Sequence, residues 1–374
     1  MHDILRAVKC LSEEDKQKLS AAWEESYQAG EACLRSMSIF SDKSTHSQFG
    51  DFKFEHVPGD VYYIGKLVGD LGIFVDSEKK PIFNSKYYLS HLRDFLEIID
   101  SRLEILQQQD FSNAIDIGSD YVSIGKWFVT YGHFKDEAYS VGHFLEQFPD
   151  VSNFRAILDY PNDAKLDHAS FKHNLNYLKI EKLIFGENSI NAYNYGNRPL
   201  KLRNLYLINN NITAKIFHSF PPSVSAKIRA NIKSQGVEPP IGAERSKRVF
   251  LTRSSSYRDI ANKSEVEAIA SRSGFAIVNP EEISYEEMVS ILGYSESVIM
   301  YYGSALTNLV YMSPGTNVYI LKSQSYMHES LELWKKIINN YKLNLREIFT
   351  ENNFVSRDQF EGIVHDDLPS VMQG

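Results

Sequence analysis

A chain of 374 residues exceeds the ~250 to 300 at which a single hydrophobic core stops growing, so two domains are expected. Its composition, 43% hydrophobic, 24% charged and 13% aromatic, is that of a folded globular protein and excludes disordered, collagen-like and low-complexity classes. The net charge of -8 argues against a nucleic-acid partner, which requires a basic excess, and Cys10 and Cys33 are too few for a disulfide framework or a tetrahedral zinc site.

Ser12 followed by Glu13, Glu14 and Asp15 is a helix start, with a hydroxyl to cap free N–H groups and carboxylates at the positive end of the dipole. Leu19, Trp23, Tyr27 and Leu34 continue it as an amphipathic helix packed on the body. The same acidic run stands where a signal peptide would be apolar, and no segment approaches the ~20 apolar residues of a spanning helix. A cytoplasmic protein is expected, any membrane contact being peripheral.

Segments 60–69 and 71–76 are β-branched and aromatic with Gly punctuation and predict strands, whereas Leu92, Phe95, Ile99, Leu103 and Leu106 predict a helix over 86–109. Then the rhythm alternates: a strand at 113–118, a helix at about 133–147, a strand at 156–160, a helix around 167–178 and a strand EKLIF at 181–185. Strands separated by helices imply parallel β-α-β units. Residues 186–200, rich in Asn, Gly and Tyr, predict an ordered loop.

The stretch 234–247, with Pro239, Pro240 and several charges, has the composition of an interdomain linker. Beyond it VFLTR (249–253), FAIVNP (275–280), SVIMYY (297–302) and NVYILK (317–322) predict strands, with helices at 262–273, 284–293 and 304–312, a Rossmann-like half. A further helix runs through Leu331, Trp334 and Ile338. The expected domains are thus 1–240, including the helical N-terminal extension, and 241–345, followed by a polar, irregular tail at 346–374.

In open α/β sheets ligands bind beyond the carboxyl ends of the strands. There the sequence places Arg253 and Arg258, separated by hydroxyls that include Ser254 and Ser255, a combination suited to a diphosphate. The third strand ends in Tyr302-Gly303-Ser304, a small-residue turn that lets backbone approach an anion. Neither piece is specific alone.

Together they resemble the C-terminal signature of glycosyltransferase family 61: Arg253, Arg258, Asn262, Glu265, Gly274, Phe275, Gly303, Leu306, Thr307, Asn308, Pro314 and Gly315 fall in the family's order and spacing. A second match is Tyr131-Gly132-His133-Phe134-Lys135-Asp136-Glu137, a His-aromatic segment with a carboxylate four residues on. The likeness covers roughly residues 120–335, and two positions depart from it: Tyr302 stands where the family has His, and Glu287 where it usually has Gln. A tyrosine, with a pKa near ~10, donates hydrogen bonds but shuttles protons poorly at neutral pH.

The resemblance implies a GT-B architecture, two Rossmann-like domains facing a cleft, here with an added N-terminal helical and β region. It implies an inverting transfer from a nucleotide-sugar donor, a UDP-sugar by analogy, to a glycan or lipid-linked oligosaccharide, as in surface or capsular polysaccharide synthesis. Glu137, or His133 polarised by it, is the expected base, with adjacent Asp136 an alternative and His143 with Glu146 a second such pair. Donor binding is assigned to Arg253, Ser254, Ser255, Arg258, Glu282, Tyr302, Gly303, Ser304, Thr307 and Asn308. Neither cofactor nor metal is expected; Asp366-Asp367 lies in the tail. Tyr302 keeps a second reading open, a non-catalytic nucleotide- or sugar-binding subunit on the same scaffold. An epimerase or dehydrogenase is disfavoured, since no Gly-x-Gly-x-x-Gly turn follows a predicted strand.

Overall fold

The computed structural model describes residues 9–82, 100, 105–123, 138–146, 154–158, 174–209, 222–237, 247–253, 260–322, 332–351 and 354–366, apart from positions 10, 27, 28, 31, 34, 35, 44, 50, 51, 69, 70, 140 and 197. The chain divides into two units, Met1–Ile216 and Phe217–Gly374.

The first unit opens with α1 (Glu13–Glu25), whose start obeys its sequence: the Ser12 hydroxyl accepts a hydrogen bond from Asp15 N at 3.1 Å, and Leu19 is fully buried. Tyr27 and Leu34 lie outside the described residues. Among the described residues this unit has one mixed sheet of seven strands: β1 (Thr45–Phe49), β2 (Phe52–Val68), β3 (Leu71–Asp76), β4 (Ile115–Ser123), β5 (Arg155–Leu158), β6 (Ser189–Asn191) and β7 (Leu200–Asn209). Their order is β1-β2-β7-β4-β5-β6, with β3 paired to β2. The strands β7, β4, β5 and β6 run parallel, while β2 joins β7 antiparallel. Strand β2 starts well before residue 60 because its register with β7 shifts between Val57 and Asp60, where Pro58 and Gly59 form a bulge instead of ending the strand.

Two expectations here are corrected. EKLIF is not a strand but the last part of α2 (Asn174–Phe185), in which Ile180, Leu183 and Ile184 are buried at the i, i+3, i+4 spacing of a helical face. Gly186, with φ +61°, ends that helix as glycine commonly does. Residues 186–200 are not simply a loop, since they contain β6, a 3-10 turn at Ala192–Tyr195 and the first residue of β7.

Residues 138, 139 and 141–146 are helical, and Phe144 packs edge-on against Phe54 of β2 with ring centroids 5.5 Å apart. Residues 124–137, which follow β4 and carry His133, Asp136 and Glu137, lie outside the described residues. Most of the helices expected at 86–109 and 167–178 fall outside them too, although 105–108 are helical with Leu106 buried.

The second unit runs α3 (Pro222–Ser234), β8 (Arg248–Leu251), α4 (Lys263–Arg272), β9 (Ala276–Val278), α5 (Tyr285–Tyr294), β10 (Ser297–Tyr301), a 3-10 helix (Ser304–Tyr311), β11 (Asn317–Lys322), α6 (Glu332–Asn340), β12 (Asn344–Phe349) and α7 (Arg357–Asp366). Its five strands are all parallel in the order β12-β11-β10-β8-β9, which counted from β8 is the doubly wound order 2-1-3-4-5. Two buried layers flank this sheet; one of them gathers Phe250, Ile299, Tyr301, Tyr319 and Leu321 against α4 and α7.

Helix α3 precedes the two adjacent prolines and packs within this unit: Arg229 Nη1 donates to the carbonyls of Tyr311 at 3.3 Å and Met312 at 3.0 Å. Ser225 shares a hydrogen bond with the Tyr341 hydroxyl, and burial pushes that phenol above its ordinary range. The tail expected to be irregular is corrected: residues 344–349 extend the sheet, burying Ile348, and α7 seats Phe360 in the core. The segment expected as a helix at 304–312 takes the tighter 3-10 form.

Candidate functional site

Connection order decides where this second sheet can hold a ligand. From β8 the chain crosses to β9 on one side, then returns to β10 on the other, so the loops leaving β8 and β10 diverge. A crevice at the carboxyl ends of these two strands is the usual ligand position in open α/β sheets.

The chain leaving β8 places Arg253 there. Val249, Phe250 and Leu251 are buried, and Thr252 N continues the ladder to Val278 O at 2.9 Å. The Thr252 hydroxyl donates to Glu267 Oε1, while Lys263 Nζ donates to the Arg253 carbonyl and stands 4.0 Å from Glu267. Helix α4 thus fixes the backbone at this strand end, and the guanidinium carbon of Arg253 sits 4.7 Å from the Tyr301 ring centroid. Ser254, Ser255 and Arg258 lie outside the described residues.

The chain leaving β10 supplies the turn. Tyr302 N donates to Leu321 O at 2.9 Å, and Gly303 then adopts φ +139° and ψ -157°, a conformation essentially closed to residues with a Cβ. Its carbonyl accepts from Leu306 N at 3.0 Å and starts the 3-10 helix at Ser304. Thr307 and Asn308 are buried in that helix, and Tyr302 is only 5% exposed. Arg253 and the Tyr302-Gly303 turn therefore follow the carboxyl ends of two adjacent strands, β8 and β10.

Glu282 follows β9 at the same edge. It is exposed, its Oε1 accepts from Asn279 Nδ2 at 2.7 Å, and its N donates to Asn279 O at 3.0 Å. Glu287, the second departure from the family pattern, serves its own helix: the carboxylate accepts from Ser284 N at 2.8 Å while Glu287 N donates to Ser284 Oγ at 3.2 Å. That capping box accepts Glu and Gln alike.

Two charged groups at this edge were not picked out from sequence. Lys322, at the end of β11, places Nζ 5.2 Å from the Tyr302 ring centroid and 3.4 Å from Glu347 Oε2 of β12. The available signal was a lysine closing an otherwise apolar strand; its partner was hidden in a segment not recognised as a strand.

In the first unit, His143 Nδ1 lies 3.9 Å from Glu146 Oε2, too far for a hydrogen bond. A different histidine has the more constrained surroundings. His56 of β2 stacks on Tyr206 of β7 with centroids 4.5 Å apart and 16° between planes. Burial lowers its pKa, against the opposing hydrogen bond of Asn204 and the charge of Asp120. Asn204 and Asp120 both have positive φ, +58° and +64°, and are joined by a 3.1 Å hydrogen bond from Nδ2 to Oδ1.

Among the described residues no group of three or more His, Cys, Asp or Glu side chains is placed to hold a metal, and no helix is long and apolar enough to cross a membrane. Comparison with curated proteins gives no match. The family model for Glycosyltransferase 61 does match, over residues 131–319, a stretch that takes in His133 to Glu137 as well as the edge from Arg253 to Asn308: the chain belongs to glycosyltransferase family 61.

Proposed function

We propose that this protein is an inverting, metal-independent glycosyltransferase whose nucleotide-sugar donor is held at the carboxyl edge of the second sheet. The observation that supports the proposal is that Arg253, against the Tyr301 ring, and the Gly303 turn follow the adjacent strands β8 and β10 at the topological switch point, inside the stretch matched by the family. Arg253 and Arg258 stabilise the departing diphosphate, assisted by Ser254, Ser255, Tyr302, Ser304, Thr307, Asn308 and the backbone after Gly303. In this reading Glu282, which follows the second strand of the sheet, accepts hydrogen bonds from the ribose hydroxyls.

On the acceptor side Glu137, or His133 polarised by it, takes the proton, with Asp136 as the alternative group. The acceptor oxygen attacks the anomeric carbon and loses its proton to that base, while the bond from the anomeric carbon to the diphosphate oxygen breaks and the diphosphate leaves with the electron pair. A fixed cationic and dipolar cradle supplies the stabilisation that a metal would otherwise give. The proposal includes the GT-B architecture that the resemblance implies, a UDP-sugar as donor, a glycan or lipid-linked oligosaccharide of a surface or capsular type as acceptor, and a cytoplasmic location peripheral to a membrane.

The second reading, a non-catalytic nucleotide- or sugar-binding subunit, draws on Tyr302, whose ring lies against Lys322 where the family has an imidazole. The transferase reading requires a nucleotide site. A thermal-shift screen of the purified chain against nucleoside diphosphates and sugar nucleotides tests that requirement, since ligands of the native state raise apparent stability. A rise with at least one sugar nucleotide supports the proposal, and none across the panel rejects it.

A further inference from the structure

Lys322 is 2% exposed although it carries an ammonium group. Its carbonyl accepts from Thr350 Oγ1 at 2.9 Å, so the backbone is pinned as well. Removing an ammonium from water is costly, and pairing with a carboxylate rarely compensates in full; an apolar side chain of similar volume would hold the strand at least as well. Stability therefore does not account for a lysine at this position.

Its place in the fold does. Tyr301 and Tyr302 are consecutive at the end of β10, and each carries a cation on its ring: Arg253 at 4.7 Å on the first and Lys322 at 5.2 Å on the second. The two cations, each from the end of a strand that flanks β10, thus lie against the last two residues before Gly303. The Lys322–Glu347 pair is also asymmetric, with side-chain exposures of 3% and 30%. Water reaches the carboxylate, while the ammonium is enclosed by protein.

We propose that Lys322 is an electrostatic component of the diphosphate site, and that Glu347 is the counter-ion that offsets its charge until an anion occupies the turn. This rests on the reading of the carboxyl edge as the donor site. The low-dielectric surroundings carry the field of Lys322 to a bound diphosphate without direct contact. The two partners of one ion pair then have opposite effects on the ligand. A pair with only a structural role lacks that signature, because loss of either partner would merely destabilise the chain.

The test is calorimetric titration of the full chain with uridine, adenosine, guanosine and thymidine diphosphates, comparing the parent with Lys322→Met, Lys322→Arg, Glu347→Gln and Arg253→Ala. For the diphosphate that the parent binds best, Glu347→Gln should tighten Kd about three- to tenfold, Lys322→Met should weaken it about tenfold, and Lys322→Arg should stay within about threefold of the parent. If Arg253→Ala weakens binding while Glu347→Gln and Lys322→Met leave Kd unchanged, Lys322 is structural and the donor-site reading stands. If the parent binds none of the four, that reading fails and this proposal with it. Should Lys322→Met not fold, the partly exposed, isosteric Glu347→Gln decides alone: tighter binding supports the proposal, and equal or weaker binding overturns it.

Discussion

Arg253 rests its guanidinium 4.7 Å from the centre of the Tyr301 ring, so the first cation of the switch point is held by a side chain of the neighbouring strand. A ring face attracts a guanidinium and limits the positions it can sample, leaving less orientational entropy to lose when an anion binds. The arginine is positioned before the ligand arrives.

The first prediction follows directly. Arg253→Ala should weaken nucleoside diphosphate binding by about 1.5–3 kcal/mol, the range for a charge-assisted hydrogen bond, as read by calorimetric titration. Unchanged affinity would remove Arg253 from the cradle.

Two glycines of the same sheet separate strain from function. Gly303, at the carboxyl edge, has φ +139°, and Gly315, at the opposite edge before β11, has φ +87°. Alanine at either position should cost about 1–3 kcal/mol in urea unfolding, because the backbone disfavours a Cβ there. Only Gly303→Ala should also weaken nucleotide affinity; equal affinity losses for both variants would show that the effect is global.

Catalysis and binding should divide between the units. Glu137→Gln is expected to abolish sugar transfer while leaving nucleotide affinity within about threefold of the parent, since an acceptor-side base acts on the proton and not on the diphosphate. Transfer by the parent should persist in EDTA. Undiminished turnover of the variant would pass the role of base to His133 or Asp136, and complete loss in EDTA would contradict the metal-independent mechanism.

Stability of the first unit should depend on pH through His56. Burial against Tyr206 holds its pKa below the ordinary 6.5, so the folded form favours the neutral ring. Below that value the unfolded chain binds the extra proton more readily; the stability contribution is complete above 6.5 and is lost as pH falls from there through the lower value of the folded form. Urea midpoints should therefore decline between about pH 7.5 and about pH 5.5, and His56→Gln should flatten that decline. An identical slope in the variant would assign the acid sensitivity elsewhere.

The strands β8 to β11 were legible because parallel strands covered on both faces are nearly continuous apolar runs, and Phe250, Ile299 and Ile320 show it. EKLIF was misread since a short apolar run has the same look in the last turns of a helix. Strand β7 escaped notice where Asn204, with φ +58°, interrupts its alternation. Strand β12 was hidden by Arg346 and Glu347, charges of the kind that edge strands carry. The same blind spot concealed the ion pair between Lys322 and Glu347. Arg253 and Gly303 belong to a motif that sequence spacing displays, whereas the Lys322–Glu347 contact exists only because β12 lies beside β11.

The most direct measurement of the central claim is nucleoside diphosphate release by the purified chain from a panel of sugar nucleotides, with candidate glycan acceptors present. The account predicts acceptor-dependent release from at least one donor and its loss in Arg253→Ala. Tight binding of a sugar nucleotide with no release under any acceptor would contradict it and leave a binding subunit in place of a transferase.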